Sequence, residues 1–137
     1  MIFLDTNVIS EDLRKHPDEG VIAWLQRYDS ELALPAVAIA EIAFGIAKIR
    51  PDQRAARLER GLIRWRQRFV RRIFAFTEDA ALAYGNLMGD AARSGRGMQT
   101  GDGMIAAIAL VNGGRLATRN VGHFETTGLE LINPWEH

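Results

Sequence analysis

Residues Ala36–Ile49, AVAIAEIAFGIAKI, are apolar at almost every position and carry one acidic residue, Glu41, near their centre. Positions three and four residues away are the surface neighbours of a helical residue. For Glu41 these neighbours are Val37, Ala38, Phe44 and Gly45. None of them supplies a counter-charge, and an isolated carboxylate in apolar surroundings is costly unless it is paired, protonated or metal-bound. The stretch therefore predicts a buried helix in which the charge of Glu41 is compensated by a group elsewhere in the fold.

Short apolar runs alternate with helical patterns on both sides of this stretch. The predicted strands are Met1–Leu4, Leu32–Leu34, Ile73–Phe76, Arg115–Thr118 and Leu129–Ile132. Besides Ala36–Ile49, the predicted helices are Val8–Leu13, a segment opening at Pro17–Glu19, Asp52–Arg72, a segment from Thr77 to about Arg93, and Gly103–Val111. This alternation predicts an α/β fold: four to five short, mainly parallel strands with helices on both faces.

Length and composition restrict the class of protein. The 137 residues predict a single domain, 1–137, and the apolar content of 47% with 25% charged residues is that of an ordinary globular protein. The absence of cysteine excludes disulfides, thiolate metal sites and cysteine nucleophiles. No segment has the pattern of a signal peptide or a membrane span, so we expect a cytoplasmic protein without membrane contact. With a net charge of zero, any binding of nucleic acid must use a local basic patch.

Three carboxylates adjoin apolar elements rather than polar surface. Asp5 ends the first predicted strand, Glu41 interrupts an apolar helix, and Asp102 precedes another. In parallel α/β sheets the ligand site lies beyond the carboxyl ends of the strands, where Asp5 and also Asn120, after the fourth strand, are expected. Oxygen ligands of this kind suit Mg²⁺ or Mn²⁺. A cation held there would lower the pKa of a bound water, which could then attack phosphorus.

Each of these residues also has a purely structural interpretation. Asp5 can serve only as a helix N-cap, and Asp102 as a first-turn acid favoured by the helix dipole. Glu41 can belong to a buried ion pair with an arginine, and Asn120 can be a turn residue. Spacing alone does not decide between the two interpretations.

Four segments, in the same order along the chain, resemble motifs of the PIN-domain ribonucleases. They are Ile2–Ile9 (IFLDTNVI), Ala40–Ile46 (AEIAFGI), Gly101–Ala109 (GDGMIAAIA) and Ala117–Phe124 (ATRNVGHF). They are most similar to the toxin half of VapBC-type toxin–antitoxin pairs, including FitB-like members. This resemblance implies an α/β/α sandwich, Mg²⁺- or Mn²⁺-dependent cleavage of RNA, a homodimer, and inhibition by a small DNA-binding, VapB-like antitoxin.

The resemblance also assigns roles to residues. Asp5, Glu41 and Asp102 match the three main acidic, metal-holding positions, and Asn120 matches a fourth position that is acidic in many members. Thr6 belongs to the first motif, where a hydroxyl near the metal-bound water is common. The position before Phe124 is often acidic in relatives and is His123 here, which leaves a second metal position with fewer ligand charges.

Basic residues suggest where RNA could bind. Arginines recur along the predicted helix Asp52–Arg72, in a pattern that is most often a solvated face. Arg93 and Arg96, which precede Asp102, and Arg119, beside Asn120, are closer in sequence to the expected chemistry, and we expect them to contact RNA.

Two other functions remain open at this point. One is a binding module whose catalysis is dispensable and which acts as a corepressor with a DNA-binding antitoxin. The other is a phosphatase with an aspartate nucleophile after the first strand. That class normally carries a D-x-D-x-T pattern, which the run Asp5-Thr6-Asn7 lacks.

Overall fold

The computed structural model describes residues Met1–Glu136, and within them five short parallel strands form one sheet. The strands are β1 (Ile2–Leu4), β2 (Leu32–Pro35), β3 (Ile73–Phe74), β4 (Arg115–Ala117) and β5 (Leu131–Ile132). Their order across the sheet is β3-β2-β1-β4-β5, so β1 is central. In the register of the sheet, Phe3 lies between Ala33 of β2 and Leu116 of β4. The predicted α/β class and parallel sheet are therefore confirmed.

Helices connect the strands and flank the sheet. They are α1 (Thr6–Leu13), α2 (Glu19–Arg27), α3 (Ala36–Ile49), α4 (Gln53–Arg68), α5 (Glu78–Arg93) and α6 (Thr100–Val111). Short 3-10 segments cover Asp29–Glu31, Val121–Thr127 and Pro134–Glu136. The side chains of Asp18, Asp52 and Thr77 accept hydrogen bonds from first-turn N–H groups, which fixes where α2, α4 and α5 begin.

The hydrophobic core lies between the central strands and the helices that cross over them. All three residues of β1 are buried, and so are the five residues Ile105–Ala109 of α6. The almost uniformly apolar sequence of α6 is thus explained by burial on most of its circumference. This packing holds α6 against the sheet, with its first turn at the carboxyl edge of β1.

Several predicted boundaries were wrong by a few residues. The helix predicted for Asp52–Arg72 ends at Arg68, because the chain turns there and Arg72 donates to the carbonyl oxygens of Asp29 and Leu32. The third strand is limited to Ile73–Phe74 and the fifth to Leu131–Ile132, and β4 ends at Ala117. Helix α6 begins at Thr100, and α1 already begins at Thr6 because Asp5 caps it.

The prediction that Ala36–Ile49 is a buried helix was wrong in one respect. The segment is helical, but its buried side chains are limited to Ala38, Ile42 and Ile46. Glu41 is exposed at the surface, and Phe44 is 66% exposed. Alanine favours helices without requiring burial, so an alanine-rich stretch looks more buried in sequence than it is. Glu41 therefore does not carry the burial cost that its sequence neighbours suggested.

Within Met1–Glu136, no helix combines the length and apolar character that crossing a bilayer would require. The predicted domain extends to His137, which lies outside the described residues.

Candidate active site

Two chain segments meet at the carboxyl edge of the sheet, as expected for Asp5 and Asn120. Asp5 directly follows β1, and its backbone N–H donates to the Ala117 carbonyl oxygen at 2.9 Å. Thr118, Arg119 and Asn120 follow the neighbouring strand β4. The central strand and its neighbour thus deliver polar residues to one place.

Asp5 is almost completely buried, at 4% exposed, and both of its carboxylate oxygens are engaged. Oδ1 accepts from the Thr6 N–H at 2.8 Å, which makes Asp5 the N-cap of α1. Oδ2 accepts from the Thr118 hydroxyl, also at 2.8 Å, across 113 positions of sequence. The Thr118 oxygen in turn accepts from the Asn120 N–H at 3.0 Å. The N-cap interpretation of Asp5 is correct, but the cap accounts for only one of its oxygens.

Glu41 reaches this edge from α3. Its Oε1 accepts a 2.6 Å hydrogen bond from the Thr6 hydroxyl, so its partner in the structure is Thr6 rather than an arginine. Its other carboxylate oxygen lies against the first turn of α6. A Cβ built on Gly101 would stand 2.5 Å from Oε2 of Glu41 and 3.1 Å from its Cδ. Only a glycine at position 101 leaves room for the carboxylate as it stands.

Asp102 lies in the first turn of α6, where the helix dipole favours an acid, as its structural interpretation requires. Its side chain is 20% exposed, and Oδ2 lies 3.5 Å from Nδ1 of His123. His123 belongs to the 3-10 segment Val121–Thr127, which follows β4. The residue that replaces the expected acid therefore adjoins one of the three proposed carboxylate positions.

Charges of neighbouring carboxylates contribute to the raised pKa values of Asp5 and Asp102. The pKa of the Asp5 carboxyl is raised to about 6: burial is the largest cause, the charges of Asp102 and Glu41 add to it, and the Thr118 and Thr6 hydrogen bonds oppose it. Burial also raises the pKa of Asp102, where the nearby His123 lowers it and the Glu41 charge raises it. Asp5, Glu41 and Asp102 together are called the acidic edge below.

The donor set of the acidic edge suits a hard, hydrated cation. It offers carboxylate oxygens from three separate elements, and the mutual repulsion just described is what a divalent cation would relieve. Among the described residues, however, no three His, Asp or Glu side chains are arranged so that all of them could hold one metal ion directly. Mg²⁺ commonly binds through one or two carboxylates and keeps several waters, and these residues fit that mode of binding.

The remaining predicted site residues are less closely gathered. The Asn120 side chain is exposed, as is that of Arg119, whose guanidinium stacks over the Trp135 ring at 5.0 Å. Arg93, at the end of α5, forms an exposed ion pair with Asp90 in the preceding turn. Arg96 lines a cavity together with Asp102 and His123. Of the three arginines predicted to contact RNA, Arg96 is the one that lines the same cavity as a residue of the acidic edge, Asp102.

Two residues were missed as parts of the site. Thr118 was placed in the last motif without a role, although its position at the end of β4 could have suggested a partner for Asp5. The sequence analysis assigns no role to Gly101, although its position beside Asp102 in an otherwise apolar segment could have indicated a place in the site. Both act by positioning a carboxylate, which a search for acidic residues does not detect.

Comparison with known proteins places this chain in a family. The PIN domain profile matches residues 2–128. The chain is 40% identical to VapC ribonuclease Y4jK of Sinorhizobium fredii over 99% of each chain. It is 36% identical to toxin FitB of Neisseria gonorrhoeae, over 98% of this chain and 99% of that one. A solved structure of FitAB bound to a DNA fragment superposes with a TM-score of 0.88 at 36% identity, covering 98% of this chain and 96% of that one. The chain therefore belongs to the PIN-domain family, with VapC- and FitB-type proteins among its relatives.

Proposed function

We propose that this protein is a divalent-metal-dependent endoribonuclease and the toxin component of a toxin–antitoxin pair. The relatives named VapC ribonuclease and toxin FitB, which align over almost the whole chain, support the class. The observation that carries the chemistry is the convergence of Asp5, Glu41 and Asp102 on the carboxyl edge of the sheet, where burial first, and then the charges of Asp102 and Glu41, raise the pKa of Asp5.

In this proposal Asp5, Glu41 and Asp102 would hold a hydrated Mg²⁺ or Mn²⁺ ion, either directly or through its waters, and Asn120 would offer a neutral oxygen nearby. Such an ion, when bound, supplies an activated water and stabilises the charge that develops on the scissile phosphodiester. Thr118 and the Thr6 N–H fix the orientation of Asp5, and the Thr6 hydroxyl fixes that of Glu41. The protein thus contributes preformed orientation, which lowers the cost of gathering the carboxylates around the ion.

Arginines beside the acidic edge are proposed to contact the RNA backbone. Arg119 is the best placed, since it precedes Asn120. Arg96 lies beside Asp102 at the rim of a shared cavity and would contact the backbone outside that cavity, after release from its exposed partner Glu125. Arg93 would act further along the RNA, after release from its exposed partner Asp90, a pairing that is worth little in water.

The proposed partners are a cognate antitoxin and a second copy of the chain. FitAB bound to a DNA fragment is among the similar structures, which supports an antitoxin that brings the pair to DNA. Exposed apolar side chains supply surface for such contacts: Phe44 on α3, Ile63 on α4 and Leu82 on α5. We propose that the protein acts in the cytoplasm, where RNA is available.

The DNA-bound FitAB structure also favours a second function, in which the chain is a corepressor and its catalysis is dispensable. The two functions differ in whether the acidic edge is needed. A corepressor retains binding to its antitoxin and DNA when the carboxylates are neutralised, whereas a ribonuclease loses its activity.

The test compares cleavage of labelled RNA by the wild type and Asp5→Asn, with Mn²⁺ or Mg²⁺ and with a chelator. We expect the wild type to cleave RNA only when the metal is present. The cleavage rate of the variant should be lower by at least about a hundredfold. Circular dichroism controls for folding. Equal cleavage by the two proteins, or none by either while both still bind antitoxin and DNA, would favour the corepressor.

A further inference from the structure

A cavity of about 330 Å³ adjoins the acidic edge, with Asp102 among its lining residues. Its walls come from the loop between α5 and α6 and from the 3-10 segment Val121–Thr127. Asp102 and His123 form the end nearest the proposed chemistry, while Gln99, Met98 and Thr126 line the rest. A group in this cavity would therefore be a direct neighbour of the group that reacts.

Arg96 holds the two walls of the cavity together. Its Nη2 donates to Oε2 of Glu125 at 2.7 Å and to the carbonyl oxygen of Gly122 at 3.3 Å. Both acceptors belong to the 3-10 segment, whereas Arg96 belongs to the loop after α5. The cavity is thus a preformed space between two linked segments.

The charges around the cavity are unfavourable for a phosphate. Glu125 neutralises Arg96, the cation among the lining residues, and Asp102 adds a negative charge at the inner end. An anion placed there would meet a carboxylate without an unpaired arginine to compensate. The phosphodiester itself therefore belongs at the acidic edge with its cation, and the cavity suits a neutral group attached to it.

The remaining lining residues suit a nucleobase. Met98 offers a polarisable apolar surface, and the backbone at Gly97 and Gly122 carries no side chain that would narrow the space. Gln99 and Thr126 offer both donors and acceptors for the edge of a base. In the part of the chain that the structure describes, the Gln99 side chain makes no capping hydrogen bond to α6, although it occupies the N-cap position.

We propose that this cavity binds the base of a nucleotide adjacent to the scissile phosphodiester, and that the Gln99 amide contacts the edge of that base. The proposal rests on the proposed ribonuclease function and adds a specificity site to it. Single-stranded RNA is generally recognised through bases that are splayed out and contacted on their edges, and a pocket for one base is the smallest unit of such recognition.

The test measures binding rather than cleavage, so that it does not depend on catalysis. Short single-stranded RNAs, each lacking the base at one position, are titrated by fluorescence anisotropy into the full-length protein in chelator. The proteins are wild type, Gln99→Ala, Thr126→Val and the matched control Gln67→Ala, which removes the same amide from an exposed position on α4. Parallel cleavage assays with Mn²⁺ on the intact RNA record whether catalysis is present.

We expect removal of the base at one position to weaken binding to the wild type and to Gln67→Ala by about tenfold. In Gln99→Ala the same removal should change affinity by less than about threefold, because the contact is already lost. The proposal is overturned if the wild type binds no RNA, or if its affinity is unchanged whichever single base is removed. It is also overturned if removing the base weakens binding to Gln99→Ala and Thr126→Val as much as it weakens binding to the wild type.

Two further outcomes distinguish this proposal from a protein-binding role of the cavity and from the proposed ribonuclease function. If Gln99→Ala leaves RNA binding intact but weakens binding to the antitoxin, the cavity takes a protein side chain and the base-binding proposal is wrong. If the expected binding pattern is found without any cleavage by the wild type, the base site stands and the ribonuclease function fails.

Discussion

The hydroxyl of Thr6 donates a 2.6 Å hydrogen bond to Oε1 of Glu41, joining the first turn of α1 to the middle of α3. Thr6 also gives its backbone N–H to Asp5 at 2.8 Å. One residue thereby fixes two of the three carboxylates of the acidic edge. Glu41 is exposed, so the positions of its carboxylate are limited by this hydrogen bond and by the first turn of α6 at Gly101.

The first prediction concerns this hydroxyl. In Thr6→Val the Glu41 carboxylate loses its donor while the shape of residue 6 is kept, and we expect cleavage of RNA to fall by roughly ten- to a hundredfold. The free energy of unfolding should fall by only about 1 kcal/mol or less, since the hydrogen bond is exposed. Thr6→Ser keeps the hydroxyl and should retain most activity. Equal activity of the valine and serine variants would show that Thr6 does not position Glu41 for the reaction.

The second prediction concerns Gly101, where a Cβ would stand 2.5 Å from Oε2 of Glu41. The carboxylate is the mobile end of an exposed side chain, so in Gly101→Ala it should move away rather than distort the helix. Alanine also stabilises a helix by roughly 0.5–1 kcal/mol relative to glycine. We therefore expect a loss of cleavage activity without a loss of thermal stability.

The matched control for this substitution is Gly85→Ala in α5, where an added Cβ meets nothing within 4 Å. It should raise stability to a similar extent and leave cleavage unchanged. If both glycine variants retain wild-type activity, the close approach of Glu41 to α6 has no role in the reaction.

The third prediction follows from the raised pKa of Asp5. Folding raises this pKa from 3.8 to about 6, so the folded state holds the proton more tightly than the unfolded state. The associated stabilisation is fully present below pH 3.8 and is lost as the pH rises through about 6, a difference on the order of 3 kcal/mol. The raised pKa of Asp102 acts in the same direction.

Urea unfolding of wild type and Asp5→Asn in metal-free buffer isolates this contribution. The stability of the wild type relative to the variant should decrease as the pH is raised from about 5 to about 7.5. Added Mg²⁺ should stabilise the wild type at the higher pH more than it stabilises the variant. A difference between the two proteins that does not change with pH would contradict the raised pKa.

The order of strands and helices could be predicted from the sequence because short apolar runs and helical spacing are local signals. Their ends were less predictable, since they depend on distant partners. The predicted helix, for example, stops before Arg72, which hydrogen-bonds to the carbonyl oxygens of Asp29 and Leu32. The exposure of Glu41 was mispredicted for the same reason, as the sequence does not tell which stripe of an alanine-rich helix meets the core.

The carboxylates of the site could be predicted from the sequence, but the residues that position them could not. Asp5, Glu41 and Asp102 all adjoin apolar sequence, which is visible without the structure, and the resemblance to PIN-domain motifs assigned the same three positions. The contact of Thr118 with Asp5 spans 113 positions and depends on β1 and β4 lying side by side, which no local pattern reveals. The space at Gly101 likewise exists only once α3 and α6 have packed.

The last prediction separates the two roles of the Thr118 hydroxyl, which donates to Asp5 at 2.8 Å and accepts from the Asn120 N–H at 3.0 Å. Thr118→Val keeps the shape of this buried side chain and removes both hydrogen bonds. The lost Asn120 contact destabilises the protein at every pH, whereas the lost Asp5 contact matters only when Asp5 is ionised. We therefore expect the variant to be destabilised by roughly 1–3 kcal/mol near pH 7.5 and by less near pH 5.

The same substitution removes a hydrogen bond that lowers the pKa of Asp5, so that pKa should rise further above 6. The pH at which stability falls should move upward with it, which urea unfolding across the pH range would measure. Thr118→Ser, which keeps the hydroxyl, controls for the changed side chain and should follow the pH dependence of the wild type. If the cost of Thr118→Val is the same at both pH values, the Thr118 hydroxyl does not stabilise the ionised form of Asp5, and its role is limited to holding Asn120.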